Sequence, residues 1–357
     1  MKSFAVPVAG SPVAEQSVEI QEPTGFEVLL TVTHAGVCHT DTHVQEGGYD
    51  LGERGFMEMT ARGMEYPVVM GHETVGEVIA VGDRVTGVSV GDRRLVFPWI
   101  GCGECRRCVR GEDNYCAKSQ ALGIFRPGGF AEQILVPHEK YLVDIDGLDP
   151  AWAATLACSG VTAYSAAHKA LAHVSDEDCV AVIGTGGVGL MAIATLQALG
   201  HRNIAAVDVR AENLGIARDM GATITVDSSS GDGATGLIDA AGGPVAAVID
   251  FVNNGATVAL GFDALDKGGT YVHVGLYGGE FRLPTALMAL KALSLLGNYV
   301  GSLSELIEVV DIAKAGRLPR IPIVAGPLSA DGVNTGLTGL REGTVAGRTV
   351  LSPAPAT

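Results

Sequence analysis

"CVAVIGTGGVGLMAIATLQALG", residues 179–200, sets a short β-branched run against a glycine turn, and the turn against an apolar helix that stops at Gly200. The turn reads G-x-G-x-x-G through Gly184, Gly186 and Gly189, with Gly187 and Val188 inside it. Alone, this pattern is a weak signal. Here a strand precedes it, a helix follows, and an acid, Asp208, ends the next strand in "NIAAVDV" (203–209), which is the context a dinucleotide site requires. The first glycine makes the tight turn, the second admits the pyrophosphate to the backbone, and the third lets helix pack on strand. The helix N-terminus then faces the phosphates. Asp208 is placed to accept hydrogen bonds from the adenosine ribose and to repel a 2′-phosphate, so NAD is expected over NADP. Arg210, two residues on, argues the other way, because an arginine there can hold that phosphate. The bland alternative is a glycine turn with no ligand.

Outward from this stretch, strands and helices alternate. "AENLGIARDMG" (211–221) is a helix, and "TITVD" (223–227), "VAAVIDFV" (245–252) and "GTYVHVGL" (269–276) are further strands. Such a series builds a parallel sheet with right-handed crossovers. Upstream, "PAWAATLACSGVTAYSAAHKAL" (150–171) is Ala-rich and helical. The first ~150 residues differ. "FEVLLTVTHAGVC" (26–38) and "ETVGEVIAVGDRVTGVSVGDRRLVF" (73–97) alternate apolar and polar residues between Gly/Asp turns, as in a small barrel or sandwich. After a helix around "SELIEVVDIAKAG" (304–316), the tail 318–353 reads as strand and turn again and is expected to rejoin the first domain.

Composition narrows the function. With 47% hydrophobic and 18% charged residues the chain folds rather than staying disordered. The formal charge of −16, from 24 basic and 40 acidic residues, disfavours nucleic acid as a partner. No run approaches ~20 apolar residues, so no membrane span is expected. "MKSFAVPVAGSPVAEQ" (1–16) lacks the continuous apolar core of a signal peptide, and a cytoplasmic protein is expected.

Seven cysteines in such a compartment favour metal over disulfides. "GCGECRRCVRGEDNYC" (101–116) spaces Cys102, Cys105, Cys108 and Cys116 as C-x2-C-x2-C-x7-C. Four thiolates on a short loop suit a closed tetrahedral zinc site, with an iron–sulfur cluster as the rival. A second candidate is dispersed: "CHTDTH" (38–43), "GHE" (71–73) and Cys158 in "LACSG" (156–160). Two thiolates and one imidazole with a fourth position open is a catalytic zinc pattern. Taken singly, each of these residues is more often core than ligand.

"CHTDTH", "GHETVGEV" (71–78), the cysteine loop, "GTGGVGL" (184–190) and "GTVAGRTVL" (343–351) occur in that order. Together they resemble the zinc-dependent medium-chain alcohol dehydrogenases, over nearly the whole chain. The resemblance implies an α/β chain: a GroES-like catalytic domain over 1–152, a Rossmann domain over 153–300, and a return to the catalytic domain over 301–357. It implies Cys38, His72 and Cys158 as ligands of a catalytic zinc, with Glu73 beside the metal as a transient ligand, and Cys102, Cys105, Cys108 and Cys116 around a structural zinc. Asp41 would orient His72, and Thr40 and His43 would relay the hydroxyl proton while hydride moves to NAD. His39 and Arg348 would approach the pyrophosphate, and Val274 joins the cofactor contacts. The substrate is expected to be an alcohol or its carbonyl product, with a polyol, sugar or specialised cyclic alcohol as the alternative and a non-catalytic NAD- and zinc-binding protein as the remote one. A homo-dimer or homo-tetramer is expected. The stretch 44–70 looks long for the family and is expected to shape the substrate pocket, the plain alternative being a surface loop or subunit contact. His34, His138, His168, His173, His201, His273 and Cys179 are read as structural.

Overall fold

The computed structural model describes residues 1–354, apart from the side chain of Ser230. Where apolar and polar residues alternate between glycine and aspartate turns, the chain forms strands β1 (Lys2–Val6), β2 (Ala14–Ser17), β3 (Val28–Val37), β4 (Gly48–Asp50), β5 (Phe56–Glu58), β6 (Val68–Val69), β7 (Glu73–Val81), β8 (Arg93–Val96), β9 (Gln133–Val136) and β10 (Leu142–Asp144). The more continuously apolar runs give β11 (Val180–Ile183), β12 (Ile204–Asp208), β13 (Ile224–Asp227), β14 (Val245–Asp250), β15 (Leu265–His273) and β16 (Ser294–Gly297). The tail adds β17 (Ile323–Pro327) and β18 (Arg348–Ser352).

The last six before the tail form one sheet, ordered β13-β12-β11-β14-β15-β16, and every pair in it is parallel. This is a Rossmann sheet. The chain winds one way from β11 to β13, then returns to β14 on the other side of β11. The glycine turn leaves the carboxyl end of β11 at this reversal, where open α/β sheets bind their ligands. All four residues of β11 are buried, because helices cover both faces.

The early strands form a mixed sheet, β10-β8-β7-β3-β18-β17, with β9 also paired to β3. This is the GroES-like part. The tail does return to it: β18 pairs antiparallel with β3, Val350 opposite Gly36. Between β17 and β18, however, the chain forms a helix over Ala330–Arg341, where strand and turn were expected. Ser329 caps it by accepting from the Gly332 N–H, and Val333, Leu337 and Leu340 lie on its buried face. Its glycines mask that stripe in the sequence. Gly336 is what lets the helix close on Val37, since a Cβ there would sit 3.1 Å from that side chain.

Four helices carry the site. They are α1 (His39–Glu46), α2 (Pro150–Ala154), α3 (Ser159–Leu171) and α4 (Gly187–Ala198). The Ala-rich run expected as one helix is interrupted: a 3-10 turn over Thr155–Ala157 separates α2 from α3, and Cys158 sits at the break. Among the described residues no helix is long and apolar enough to cross a membrane.

The glycine turn is tightly specified. A Cβ on Gly189 would lie 2.0 Å from the Gly184 carbonyl oxygen, whereas one on Gly186 would meet nothing within 4 Å. Gly189→Ala should therefore lower unfolding stability by about 1–3 kcal/mol. Gly186→Ala should stay within about 1 kcal/mol of the parent in denaturant titrations while weakening NAD binding.

Candidate active site

Cys38, His72 and Cys158 come together although they are far apart in sequence. Their ligand atoms lie within 4.8 Å of one another and all three residues are buried. Each arrives on a different element. Cys38 caps α1 at the end of β3, His72 sits just before β7, and Cys158 occupies the break before α3. The Cys38 and Cys158 sulfurs are 3.9 Å apart. Two thiolates on a tetrahedral zinc at ~2.3 Å would be about 3.8 Å apart, so the pair fits that ion without rearrangement. Neither nitrogen of the buried His72 ring has a hydrogen-bond partner among the described residues. A buried imidazole left in this state calls for a ligand.

Asp41 organises this corner. It is fully buried on the first turn of α1. Its Oδ2 accepts from the Cys38 N–H at 2.9 Å, and its Oδ1 accepts from the Gly71 N–H at 3.3 Å. The same Oδ1 lies 3.2 Å from His72 Nδ1, close enough to pair but off the N–H direction. One carboxylate thus holds the backbone of one candidate ligand and faces the ring of another, the arrangement metal-binding histidines use. Burial disfavours a charged His72 ring, but Asp41 and Cys38 outweigh it and raise its pKa. The Cys158 thiol draws the Cys38 pKa down, despite burial and with help from His72.

Glu73, next to His72, faces the opposite way. Its Oε1 accepts from the Ser159 N–H at 3.2 Å and its Oε2 pairs with the Arg348 guanidinium. Both side chains are buried, 0% and 2% exposed. Burial pushes the Glu73 carboxyl up to about 7 against the pull of Arg348. The Arg348 stem runs beneath the glycine turn: a Cβ on Gly187 would lie 2.3 Å from its Cδ. Arg348 therefore touches the glycine turn through its stem and commits its guanidinium to Glu73. Its Nε is buried without a partner among the described residues.

In the dinucleotide region, Asp208 is half-buried and firmly held. Its Oδ2 accepts from Thr185 N–H (2.7 Å), Thr185 Oγ1 (2.9 Å) and Asn213 Nδ2 (3.3 Å). Among the described residues its Oδ1 accepts only the Arg210 N–H, at 3.0 Å, which leaves acceptor capacity for a ribose. The Arg210 side chain turns to Glu212 at 3.3 Å. Val274 follows the carboxyl end of β15, two strands from the turn. His39 is exposed and Thr40 and His43 half-buried on α1, three residues apart so that the latter two share a face.

The four cysteines of the loop also converge within 4.8 Å. The Cys105 sulfur lies 3.5 Å from that of Cys108 and 3.9 Å from that of Cys116, and the Cys102 and Cys108 sulfurs are 4.0 Å apart. Gly103 and Gly111 take left-handed φ of 78°, and a Cβ on Gly101 would fall 2.4 Å from the Cys108 sulfur, inside the cage. Arg107 pairs with Glu112 at 2.8 Å and lies over the Tyr115 ring.

Three aromatic residues escape the sequence reading. Trp99 stands 5.4 Å from the His72 ring, and its indole N–H donates to the Ala157 carbonyl, one residue before Cys158. Tyr299 lies 5.8 Å from Trp99, and Tyr49 4.8 Å from His43. Only the position of Trp99 directly before the cysteine loop could have pointed to it.

The chain is similar to known dehydrogenases along its length. The alcohol dehydrogenase GroES-like domain matches residues 24–147, and the zinc-binding dehydrogenase domain residues 187–315. The chain is 36% identical to an NAD-dependent alcohol dehydrogenase of Sulfurisphaera tokodaii, covering 99% of this chain and 100% of that one. It is 32% identical to a D-arabinose 1-dehydrogenase (NADP(+)) of Saccharolobus solfataricus, over 96% and 95% of the two chains. The crystal structure of the alcohol dehydrogenase from Aeropyrum pernix superimposes with a TM-score of 0.90 at 31% identity, covering 99% and 100%.

Removing one partner of the Arg348–Glu73 pair strands a buried charge. Arg348→Met should cost about 3–5 kcal/mol of stability by chemical denaturation, and Glu73→Gln in the same chain should restore a large part of it.

Proposed function

The chain belongs to the zinc-containing medium-chain alcohol dehydrogenase family and is an NAD-dependent oxidoreductase of alcohols. From that premise we propose that Cys38, His72 and Cys158 hold a catalytic zinc and the four-cysteine loop a structural one. The observation that carries this reading is the meeting of two thiols and an unpartnered imidazole, all buried, at tetrahedral spacing. The loop offers four thiolates and no open position, which suits a metal that only staples.

A zinc ion held by these three residues would supply polarisation of an alcohol or carbonyl oxygen, and NAD bound at the glycine turn would supply the hydride acceptor or donor. The protein's own side chains do the rest. Thr40, on the first turn of α1, takes the hydroxyl proton. His43, one turn further, receives it and passes it to solvent; burial lowers its pKa, which favours the neutral, proton-accepting ring. Asp41 keeps His72 in register for the metal, and Glu73 stands beside it as a transient ligand. The turn from Gly184 to Gly189 would cradle the pyrophosphate at the N-terminus of α4, with His39 on the catalytic side, while Arg348 supports the turn through its stem and keeps its guanidinium on Glu73. Val274 would lie on the nicotinamide side, and the free lone pairs of Asp208 would accept from the adenosine ribose. Asp208 and the engagement of Arg210 with Glu212 support NAD over NADP.

The catalytic unit is assigned to 1–152 and 301–357, and the dinucleotide unit to 153–300. The enzyme is assigned to the cytoplasm as a homo-dimer or homo-tetramer. Leu296 on edge strand β16 and Leu287 and Leu290 on the helix Thr285–Leu290 are exposed, as a subunit contact would need. A sugar or polyol substrate is the second reading, supported by the D-arabinose dehydrogenase relative.

Elemental analysis should find about two zinc ions per chain. Cys38→Ser should abolish alcohol oxidation and lower only the first site's occupancy. Cys105→Ser should lower the other and reduce thermal stability. A single zinc that survives Cys38→Ser and disappears with Cys105→Ser would refute the catalytic assignment. Faster turnover with NADP than with NAD would refute the role of Asp208.

A further inference from the structure

The catalytic and dinucleotide units meet at the stretch 44–70 and again at the turn 298–301. The first is a hairpin and not a plain loop: β4 and β5 pair antiparallel, Tyr49 opposite Met57. Its tip meets the loop after β15, where the Gly279 N–H donates to the Asp50 carbonyl and Glu53 pairs with Arg282, each at 3.4 Å. Glu53 and Arg282 are exposed. The second contact reaches the candidate metal ligands. It is the short turn that leaves the carboxyl end of β16.

This turn is strained. Val300 is buried and takes a φ of 44°, a left-handed value that is an outlier for a β-branched residue. Such a conformation persists only where the surroundings over-determine it. The neighbours supply that constraint. The half-buried Lys169 ammonium donates to the Gly297 carbonyl at 3.0 Å and to Asn298 Oδ1 at 2.8 Å. Asn298 Nδ2 in turn donates to the carbonyls of Thr162 and Val300, both at 3.3 Å. Asn114 Nδ2 donates to the Tyr299 carbonyl at 3.3 Å. Gly301 closes against α3, where a Cβ would lie 2.5 Å from Val161 Cγ2. Among the described residues the Lys169 side chain forms no other hydrogen bond and no ion pair.

The turn touches both sides of the site. On the sheet side the Asn298 N–H donates to the His273 carbonyl at 2.8 Å, one residue before Val274. On the metal side the Tyr299 ring stands 5.8 Å from Trp99, and Trp99 5.4 Å from His72. Helix α3 links the two, because Cys158 stands at its start and Lys169 lies in its last turn. We propose that Lys169 is a positioning residue: by clamping the strained turn 298–301 it fixes where the nicotinamide end of NAD stands relative to the metal ligands. A charged donor suits this task, since its hydrogen bonds are stronger than those of a neutral one. The assignment rests on the NAD-dehydrogenase reading above, in which Val274 lies on the nicotinamide side.

The test compares the binding of NADH with that of ADP-ribose, which lacks the nicotinamide, to the zinc-loaded protein by calorimetric titration. Lys169→Met should raise the Kd of NADH by about tenfold and leave that of ADP-ribose where it was. Lys169→Arg, which keeps the charge and the donors, should recover part of the loss. Adding Val300→Gly to Lys169→Met should also recover part, because glycine takes left-handed φ without strain. The proposal is overturned if Lys169→Met weakens both ligands equally, as a general loosening of the fold would, or weakens neither. If that variant does not fold, Lys169→Gln carries the same comparison. A parent protein that binds neither ligand counts against the NAD reading instead.

Discussion

The buried ion pair between Glu73 and Arg348 holds the molecule to its working shape. Glu73 opens β7 immediately after His72, and its other oxygen takes the N–H of Ser159, the residue after Cys158. Arg348 opens β18, the strand that returns the tail to the first sheet, and its stem lies under the glycine turn. One pair therefore references two candidate metal ligands, the returning tail and the dinucleotide turn to a single point. Two charges taken out of water are costly, and losing either partner is costlier than keeping both. The surroundings are cut to fit. Gly36 on β3 lies opposite Glu73, and a Cβ there would meet the carboxylate at 2.1 Å.

The four-cysteine loop is tied to the same centre, although it lies outside it. Asn114, within the loop, donates to the Tyr299 carbonyl at 3.3 Å. Asp113 is buried and accepts from the Tyr141 hydroxyl at 2.7 Å, anchoring the loop on the strand-rich sheet. The backbone of Tyr299, whose ring packs on Trp99 beside His72, is thus held by a segment whose own shape depends on four sulfurs. The cysteine loop is in this way coupled to the ring that packs beside His72 without reaching the candidate metal ligands themselves.

What could be read in the sequence was what is local. The glycine turn declares itself because the strand, turn, helix and next acid lie within thirty residues, and the alternation of strands and helices after it announces a parallel sheet, whose order the structure supplies. The cysteine loop is legible for the same reason. The dispersed centre was legible only as a combination, and the role of each member came through family resemblance. The break that presents Cys158 is hidden inside an Ala-rich run whose local preference is helical throughout. The helix Ala330–Arg341 is hidden by glycines that lower its propensity but are needed where it closes on β3. Trp99, Tyr49 and Tyr299 could not be found, because each becomes part of the site only through partners distant in sequence. That the Arg348 guanidinium is committed to Glu73 likewise depends on a contact spanning most of the chain.

The central claim is that one of two metal centres is built from Cys38, His72 and Cys158 and leaves a position open. Zinc K-edge X-ray absorption of the fully loaded protein tests this directly, because it averages the ligands over both ions. A closed four-sulfur site together with a two-sulfur site should give about three sulfurs at ~2.3 Å and about one nitrogen or oxygen at ~2.0–2.1 Å per zinc. A shell of sulfur alone would contradict the account, since it would leave zinc in the cysteine loop and none beside Thr40 and His43.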